Sequence, residues 1–211
     1  MSFVLVQHLD PKHLSHLGEI LQRSSKMPVV EAADGMKAEA DHVYITPPNV
    51  QMRIANRLLH LTPRPKTGGV YLPINEFFYS LAAECDGKAI GVVLSGTAND
   101  GTAGLQAIKA SGGITFAQDE TSAKYPGMPH SAVKSGCVDF VFRPAKIAEE
   151  LARIGAHPFV AKSKVKSGKP HEEALKRIYQ MLKSATGVDF SQYKQTTINR
   201  RIQRRLSLIH I

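Results

Sequence analysis

The sequence predicts an α/β protein with a mainly parallel, doubly wound sheet, an antiparallel hairpin insertion and a short all-helical segment at its C-terminal end. Three observations carry this prediction. Short apolar runs alternate with helical periods over residues 1–155, turn residues interrupt residues 28–63, and basic residues are concentrated after residue 155. With 43% hydrophobic residues in a chain of 211, there are enough apolar side chains to bury a core.

The first elements alternate between strand and helix before the turns become frequent. Phe3–Val6 is predicted as an apolar strand, and a helix follows from about Pro11, because proline is tolerated in a first turn. Residues 28–63 are predicted as antiparallel hairpins, since turn sequences separate four short β runs. Those runs are Val29–Ala32, Val43–Thr46, Gln51–Ala55 and Leu58–Leu61.

The strand and helix alternation returns after a predicted loop at Pro63–Gly69. A helix is expected from about Pro73 to Ala83, and the strand Ile90–Leu94 then leads through a turn of small residues into a helix that ends at Ala110. The remaining predicted elements are a strand at Ile114–Ala117, a helix from about Pro129, a strand at Val138–Phe142 and a helix at Ile147–Ile154.

The charge distribution divides the chain into parts with different partners. Residues 1–155 carry 15 Lys and Arg against 15 Asp and Glu, whereas residues 156–211 carry 12 against 3, so the net charge of +9 lies in the second part. We predict a domain at 1–155, a basic linker at 156–170 and the start of a helical domain at 171–211. Helices are expected there at Glu172–Ser184 and Thr196–Leu208.

Composition argues against several classes of protein. No apolar run approaches the roughly 20 residues that cross a bilayer, and no secretory signal pattern is present, so we expect a cytoplasmic protein without membrane insertion. Cys85 and Cys137 lie in no metal-binding or redox spacing, which is typical of free thiols. His13 and His16 share one helical face and leave zinc as an alternative. Because no third ligand follows, we expect neither metal nor cofactor.

Two strand ends carry side chains suited to hydrolysis. In an open α/β sheet, ligands bind beyond the carboxyl ends of the strands, where His8 follows the first strand and Asp100 follows Ile90–Leu94. A general-base histidine and an aspartate that orients it are two members of a hydrolytic triad. Asp100 is equally typical of a cap for the helix beginning near Thr102, and a lone His8 is often a loop histidine. The small residues of Gly96–Gly104 allow backbone N–H groups to face an oxyanion.

The sequence offers no good nucleophile for this pair. The nucleophile elbow GxSxG is absent, and so are the phosphate-binding patterns GxxxxGK[ST] and GxGxxG. Ser2 precedes His8 by six residues on the same strand, which separates them by roughly 20 Å at about 3.3 Å per residue. Ser95 lies in the turn that already holds Asp100. We therefore expect neither serine to be activated by His8.

Six segments of the first part occur together and in a fixed order. They are FVLVQH at 3–8, VYITPP at 43–48, VLSGTANDGTAG at 93–104, AQD at 117–119, YPGMP at 125–129 and AV at 132–133. This set resembles the catalytic domain of the CheB-type protein-glutamate methylesterases. The resemblance implies a Ser-His-Asp mechanism that hydrolyses γ-glutamyl methyl esters on chemoreceptor helices and deamidates glutamine there. His8 then corresponds to the general base and Asp100 to its orienting carboxylate, with Thr97 and Gly96 beside the oxyanion.

The family's nucleophilic serine lies in a glycine-rich loop that follows a strand upstream of the histidine strand. That strand, loop and helix are not in this sequence, so the resemblance implies a domain truncated on its N-terminal side. On this basis we expect the chain as it stands to be inactive.

The C-terminal part resembles a second family. The segments GVDFSQYK at 187–194 and TTINRRIQRR at 196–205 are similar to the start of the helical domain of CheR-type receptor methyltransferases. The resemblance implies contact with acidic receptor helices. The basic residues concerned are Arg200, Arg201, Arg204 and Arg205. The alternative is a basic helical module that docks on acidic protein or nucleic acid, and the lack of stacking aromatics in that helix disfavours nucleic acid.

Overall fold

The computed structural model describes residues 1–8, 16–65, 71–85 and 87–156, together with 177, 179–181, 183–185 and 187. The chain divides into two compact units, Met1–Gly155 and Ala156–Ile211. In the second unit, residues 177, 179–181 and 183–185 are helical, and all of them except residue 185 fall within the helix predicted at Glu172–Ser184. Residues 157–170 of the predicted linker and the helix predicted at Thr196–Leu208 lie outside the described residues.

Residues 1–156 contain nine strands and five helices in their described part. The strands are β1 (Phe3–Leu5), β2 (Val29–Glu31), β3 (Met36–Lys37), β4 (Val43–Ile45), β5 (Val50–Ala55), β6 (Leu58–Pro63), β7 (Ile90–Val93), β8 (Ile114–Gln118) and β9 (Phe140–Phe142). The helices are α1 (Leu17–Ser24), α2 (Pro73–Glu84), α3 (Thr102–Ala110), α4 (Gly127–Lys134) and α5 (Pro144–Ala156). None of the helices found in these residues is long and apolar enough to span a membrane.

The strands form three sheets of three strands each within the described residues. Two are parallel, with strand orders β1-β4-β2 and β7-β8-β9, and the third is antiparallel, with the order β3-β6-β5. Helices separate most of the parallel strands along the chain. The predicted class, mainly parallel α/β with an antiparallel hairpin insertion, is confirmed.

The prediction of antiparallel hairpins throughout residues 28–63 is wrong in its first half. β2 pairs with β4 in parallel, and β4 lies between β1 and β2. The side chains of Tyr44 and Ile45 are both buried, because a strand inside a parallel sheet is covered on its two faces. The prediction holds for β5 and β6, which pair antiparallel around Asn56 and Arg57. Both turn residues have positive φ, as a tight hairpin turn requires.

Helix α2 positions the site because it packs against both α3 and β5. It begins with Pro73 in its first turn, where the missing N–H costs nothing. Its buried face includes Phe77 and Phe78. Gly104 of α3 permits the close approach of the two helices, since a Cβ at that position would lie 2.4 Å from the Cβ of Phe78. The first turns of α2 and α3 therefore lie side by side.

Candidate functional site

The structure brings His8 and Asp100 into contact, as the two strand ends predict. Nε2 of His8 lies 2.8 Å from Oδ2 of Asp100. His8 follows β1 and Asp100 follows β7, so the carboxyl ends of two strands from different parallel sheets meet at this point. The His8 side chain is 49% exposed, whereas that of Asp100 is 2% exposed. A buried carboxylate thus orients an imidazole that is open to a ligand.

Backbone amides hold the Asp100 carboxylate in place. Its Oδ2 accepts a hydrogen bond from Ile74 N–H at 3.0 Å. Its Oδ1 accepts from Asn75 N–H at 2.9 Å and from Gly101 N–H at 2.8 Å. Ile74 and Asn75 belong to the first turn of α2, whose N–H groups have no partner inside the helix and whose dipole favours negative charge.

Asp100 therefore satisfies the start of α2, not the start of the helix that follows it in sequence. The N-cap position of α3 is Gly101, which has no side chain, and the Gly104 N–H in the first turn of that helix donates to Oδ1 of Asn75 at 2.8 Å rather than to Asp100. The alternative in which Asp100 simply caps the helix near Thr102 is thus wrong. The carboxylate instead joins segments that are 25 and 26 residues apart, because Asn75 and Ile74 donate to it.

The contact with Asp100 determines which nitrogen of His8 can act as a base. Carboxylate oxygens only accept hydrogen bonds, so the Nε2–H of His8 donates and Nδ1 keeps a free lone pair. An imidazole held in this tautomer can take a proton at Nδ1 and is stabilised in its protonated form by the carboxylate. Among the described residues, Asp100 is the only hydrogen-bond partner of His8.

The Ser95 side chain is committed to a neighbouring loop. Its Oγ accepts a hydrogen bond from Tyr125 N–H at 2.9 Å and donates to the Tyr125 carbonyl at 3.4 Å. Its own N–H donates to Oε1 of Gln118 at 2.8 Å. These bonds connect the turn after β7 to Tyr125 in the segment before α4 and to Gln118 at the end of β8, and none of them involves His8.

Gly96 and Thr97 have different roles in the turn between β7 and Asp100. Gly96 N–H donates to the Tyr125 carbonyl at 2.8 Å, and its carbonyl accepts from Met128 N–H at 2.9 Å. A Cβ at Gly96 would lie 2.3 Å from Sδ of Met128, so any larger residue there would have to displace the Met128 side chain. The Gly96 N–H is therefore used within the fold. Thr97 is exposed, and no described residue accepts a hydrogen bond from its N–H.

Sequence reasoning missed two residues beside His8. The Tyr71 ring lies edge-on to the imidazole, with ring centroids 6.2 Å apart and an interplanar angle of 83°. The Arg64 guanidinium carbon lies 4.3 Å from the centroid of the Tyr71 ring. Burial raises the pKa of the Tyr71 phenol above its ordinary value, and the positive charge of Arg64 offsets part of that rise. In the sequence, the two flank a glycine-containing loop, and no pattern distinguishes them from surface residues.

The other predicted residues are divided between described and undescribed parts of the chain. Arg200, Arg201, Arg204, Arg205 and His13 lie outside the described residues. His16 is described, and its Nδ1 lies 3.6 Å from a carboxylate oxygen of Glu19. Within the described ranges, no group of three or more His, Cys, Asp or Glu side chains could hold a metal ion.

Two family models match the chain. The model described as CheB methylesterase matches residues 1–151. The model described as CheR methyltransferase, all-alpha domain, matches residues 173–211. The two resemblances seen in the sequence are therefore confirmed, and both families are represented in one chain.

Curated proteins and a solved structure are similar to the same regions. A 104.1 kDa uncharacterized protein of Rhodobacter capsulatus is 35% identical over 214 residues, covering 91% of this chain and 22% of that protein. A protein-glutamate methylesterase/protein-glutamine glutaminase of Pyrococcus abyssi is 34% identical over 154 residues, covering 71% of this chain and 42% of its own length. The chain thus spans less than half the length of these relatives. The crystal structure of the Thermotoga maritima CheB methylesterase catalytic domain matches with a TM-score of 0.66 at 30% identity, covering 72% of this chain and 83% of that one.

Proposed function

The chain belongs to the CheB methylesterase family, and on that premise we propose that it serves protein-glutamate methylesterase chemistry on chemotaxis receptors. The proposed substrate is a γ-glutamyl methyl ester on a cytoplasmic receptor helix, and a glutamine side chain at the same site would be deamidated. The observation that carries the proposal is the 2.8 Å contact between His8 Nε2 and Asp100 Oδ2 at the joined ends of β1 and β7.

The chemistry follows from the orientation of the His8 ring. Nδ1 takes the proton of a serine hydroxyl as that oxygen attacks the ester carbonyl, and Asp100 stabilises the imidazolium that forms. The proton then passes to the departing methoxide, which leaves as methanol, or to the departing amine of glutamine. Water activated by the same nitrogen hydrolyses the acyl-serine intermediate. The free N–H of Thr97 is the proposed donor to the oxyanion.

The nucleophile is the part of the triad that the described residues do not supply. No hydroxyl or thiol among them forms a hydrogen bond with His8, and Ser95 is bonded to Tyr125. We propose that the required serine comes from a segment outside the 211 residues, and that the chain alone does not turn over the ester.

Methanol release from methylated receptor tests this proposal. The 211-residue chain alone should release no methanol. The same chain extended by the residues that its gene encodes upstream of Met1 should release methanol. In the extended protein, His8→Ala should abolish release, and His130→Ala should not, because His130 is an exposed histidine whose Nδ1 binds Glu120 at 2.8 Å. An inert extended protein contradicts the esterase assignment. Release by the 211-residue chain alone, abolished by His8→Ala, contradicts the external nucleophile.

For the C-terminal part, we propose a docking role beside the enzymatic one. The segment 171–211 follows the linker 156–170 and matches the CheR all-alpha domain model over 173–211. Residues 156–211 carry 12 basic against 3 acidic side chains. An acidic receptor helix is the proposed partner of the basic cluster formed by Arg200, Arg201, Arg204 and Arg205.

A salt titration separates this partner from nucleic acid. Binding to an acidic receptor peptide and to duplex DNA is measured for the whole chain between low and physiological salt. We expect the peptide to remain bound at salt concentrations where DNA has dissociated. Replacement of the four arginines by glutamine should weaken peptide binding. Tighter binding of DNA at physiological salt contradicts it.

A further inference from the structure

Arg64 lies close to His8 without taking part in the contact with Asp100. Its guanidinium carbon is 4.3 Å from the centroid of the Tyr71 ring, and that centroid is 6.2 Å from the centroid of the His8 ring. The guanidinium is therefore no farther from His8 than two turns of an α-helix, about 11 Å. A helical ligand that presents one side chain to His8 can present a second one to Arg64.

Both members of the stacked pair are anchored at the beginning of β5. The Tyr71 O–H donates to the Val50 carbonyl at 2.7 Å, and the Arg64 N–H donates to the Asn49 carbonyl at 2.8 Å. The pairing of β5 with β6 ends here, with Val50 opposite Pro63. Because the ring is fixed by its hydroxyl and the arginine backbone by its amide, the guanidinium is held in a limited region before any ligand arrives.

The charge of Arg64 is not neutralised by the described residues. None of their carboxylates lies within ion-pair distance of its side chain. Asp100, whose charge acts on Tyr71, is buried and already accepts four hydrogen bonds. When a guanidinium lies over an aromatic ring, its N–H groups still point outward in the plane of the guanidinium itself. There they can bind a carboxylate through two parallel hydrogen bonds.

We propose that Arg64, stacked on Tyr71, is a carboxylate-binding subsite that recognises an acidic side chain next to the reacting glutamyl group of the substrate. The inference rests on the proposed function, which supplies the helical substrate. On such a helix, residues three, four or seven positions from the modified one share its face and fall within the distance between His8 and Arg64. The subsite thus selects substrates by the charge beside the reacting group.

Peptide binding to the 211-residue chain in which Arg200, Arg201, Arg204 and Arg205 are replaced by glutamine tests this subsite without requiring turnover, because the second proposed site for acidic peptides is then removed. Two fluorescein-labelled helical peptides each carry a central glutamine as a neutral stand-in for the ester. They differ only at two positions, the fourth residue before that glutamine and the fourth residue after it. One has glutamates there and the other glutamines. Fluorescence anisotropy should show the glutamate peptide binding about fivefold more tightly, as expected for an exposed charge-assisted pair.

Arg64→Gln should remove this preference, and Arg64→Lys should restore only part of it, because an ammonium group lacks the planar fork. Arg57→Gln is the matched control. Arg57 is an exposed arginine of the same hairpin. It precedes β6, whereas Arg64 follows β6, so the two arginines are separated by roughly 23 Å along that strand. Thermal melting of each variant shows that altered binding does not reflect unfolding.

Equal affinity for both peptides of the chain that lacks the four C-terminal arginines but keeps Arg64 overturns the subsite, and so does binding of neither peptide. The subsite is also overturned if Arg57→Gln loses the preference for the glutamate peptide to the same extent as Arg64→Gln. The preference then depends on the net charge of the protein and not on the position of Arg64. These outcomes are independent of methanol release by the extended protein, by which the esterase proposal is judged.

Discussion

Replacing Asp100 by asparagine should loosen the fold and reverse the tautomer of His8. The substitution preserves shape but converts one acceptor oxygen into an NH2 donor. In the native arrangement, Oδ1 serves the amides of Asn75 and Gly101, and Oδ2 serves Ile74 and His8. We expect the asparagine oxygen to take the place of Oδ1, because it then accepts from two backbone amides, those of Asn75 and Gly101. Its NH2 group then faces the Ile74 N–H, two donors at a distance suited to a hydrogen bond.

The magnitude follows from these four bonds. A buried N–H left without an acceptor costs about 1–3 kcal/mol. Loss of the negative charge at the first turn of α2 costs about 0.5–1 kcal/mol more. We expect the free energy of unfolding of Asp100→Asn to fall by about 2–4 kcal/mol. His8 then accepts a hydrogen bond from the NH2 group through Nε2, so its proton moves to Nδ1 and the free base nitrogen is lost.

Urea denaturation measures the first effect, and long-range ¹H–¹⁵N correlation spectra of the imidazole identify which nitrogen of His8 carries the proton. Asp119→Asn is the control. Asp119 also follows a parallel strand, β8, but it is only partly buried, and its carboxylate accepts hydrogen bonds from the nearby Thr121 and Ser122 hydroxyls. That control should lose far less stability and leave His8 unchanged. Equal losses in the two variants, or an Asp100→Asn protein in which Nε2 of His8 keeps its proton, would refute the reasoning.

Two further predictions concern the packing of α3 and the loop after β8. Gly104→Ala should lower the free energy of unfolding by about 1–3 kcal/mol because its methyl group overlaps α2, whereas Gly18→Ala in α1, with 3.8 Å to its nearest neighbour, should raise it by up to about 1 kcal/mol. Chemical denaturation measures both, and a stabilised Gly104→Ala protein would disprove the close contact. The hydroxyls of Ser122 and Thr121 lower the pKa of Asp119. The stabilisation by its carboxylate is therefore present above about pH 4 and disappears as the pH falls through the lowered pKa. The difference in Tm between wild type and Asp119→Asn should shrink on acidification, and a difference that grows would contradict this.

Elements whose signals are local could be predicted from the sequence. β7, the turn of small residues and α3 lie within a residue of their predicted bounds, because an apolar run, turn residues and a helical period follow one another there. His8 and Asp100 could be paired as a hypothesis because parallel strands place their carboxyl ends on one edge.

Pairing between distant segments could not be predicted in this way. The runs that became β2 and β4 look alike in parallel and antiparallel sheets, because an apolar run does not indicate which segment it pairs with. In the structure, β4 lies between β1 and β2 and is parallel to both. For the same reason, the donors from α2 to Asp100 and the stack of Arg64 on Tyr71 left no mark in the local pattern.

The bonds around Asp100 have a consequence for how the contact between His8 and Asp100 is lost on heating. Its four donors come from the end of β1, the start of α2 and the turn before α3, so the carboxylate is in place only when all three segments are docked. A local opening that frees the site without unfolding the core is then costly. The amides of Ile74, Asn75 and Gly101 should exchange with solvent as slowly as the core strands do, and the His8 contact should disappear at the temperature where the core melts. The fold and the orientation of the base are lost in one cooperative event.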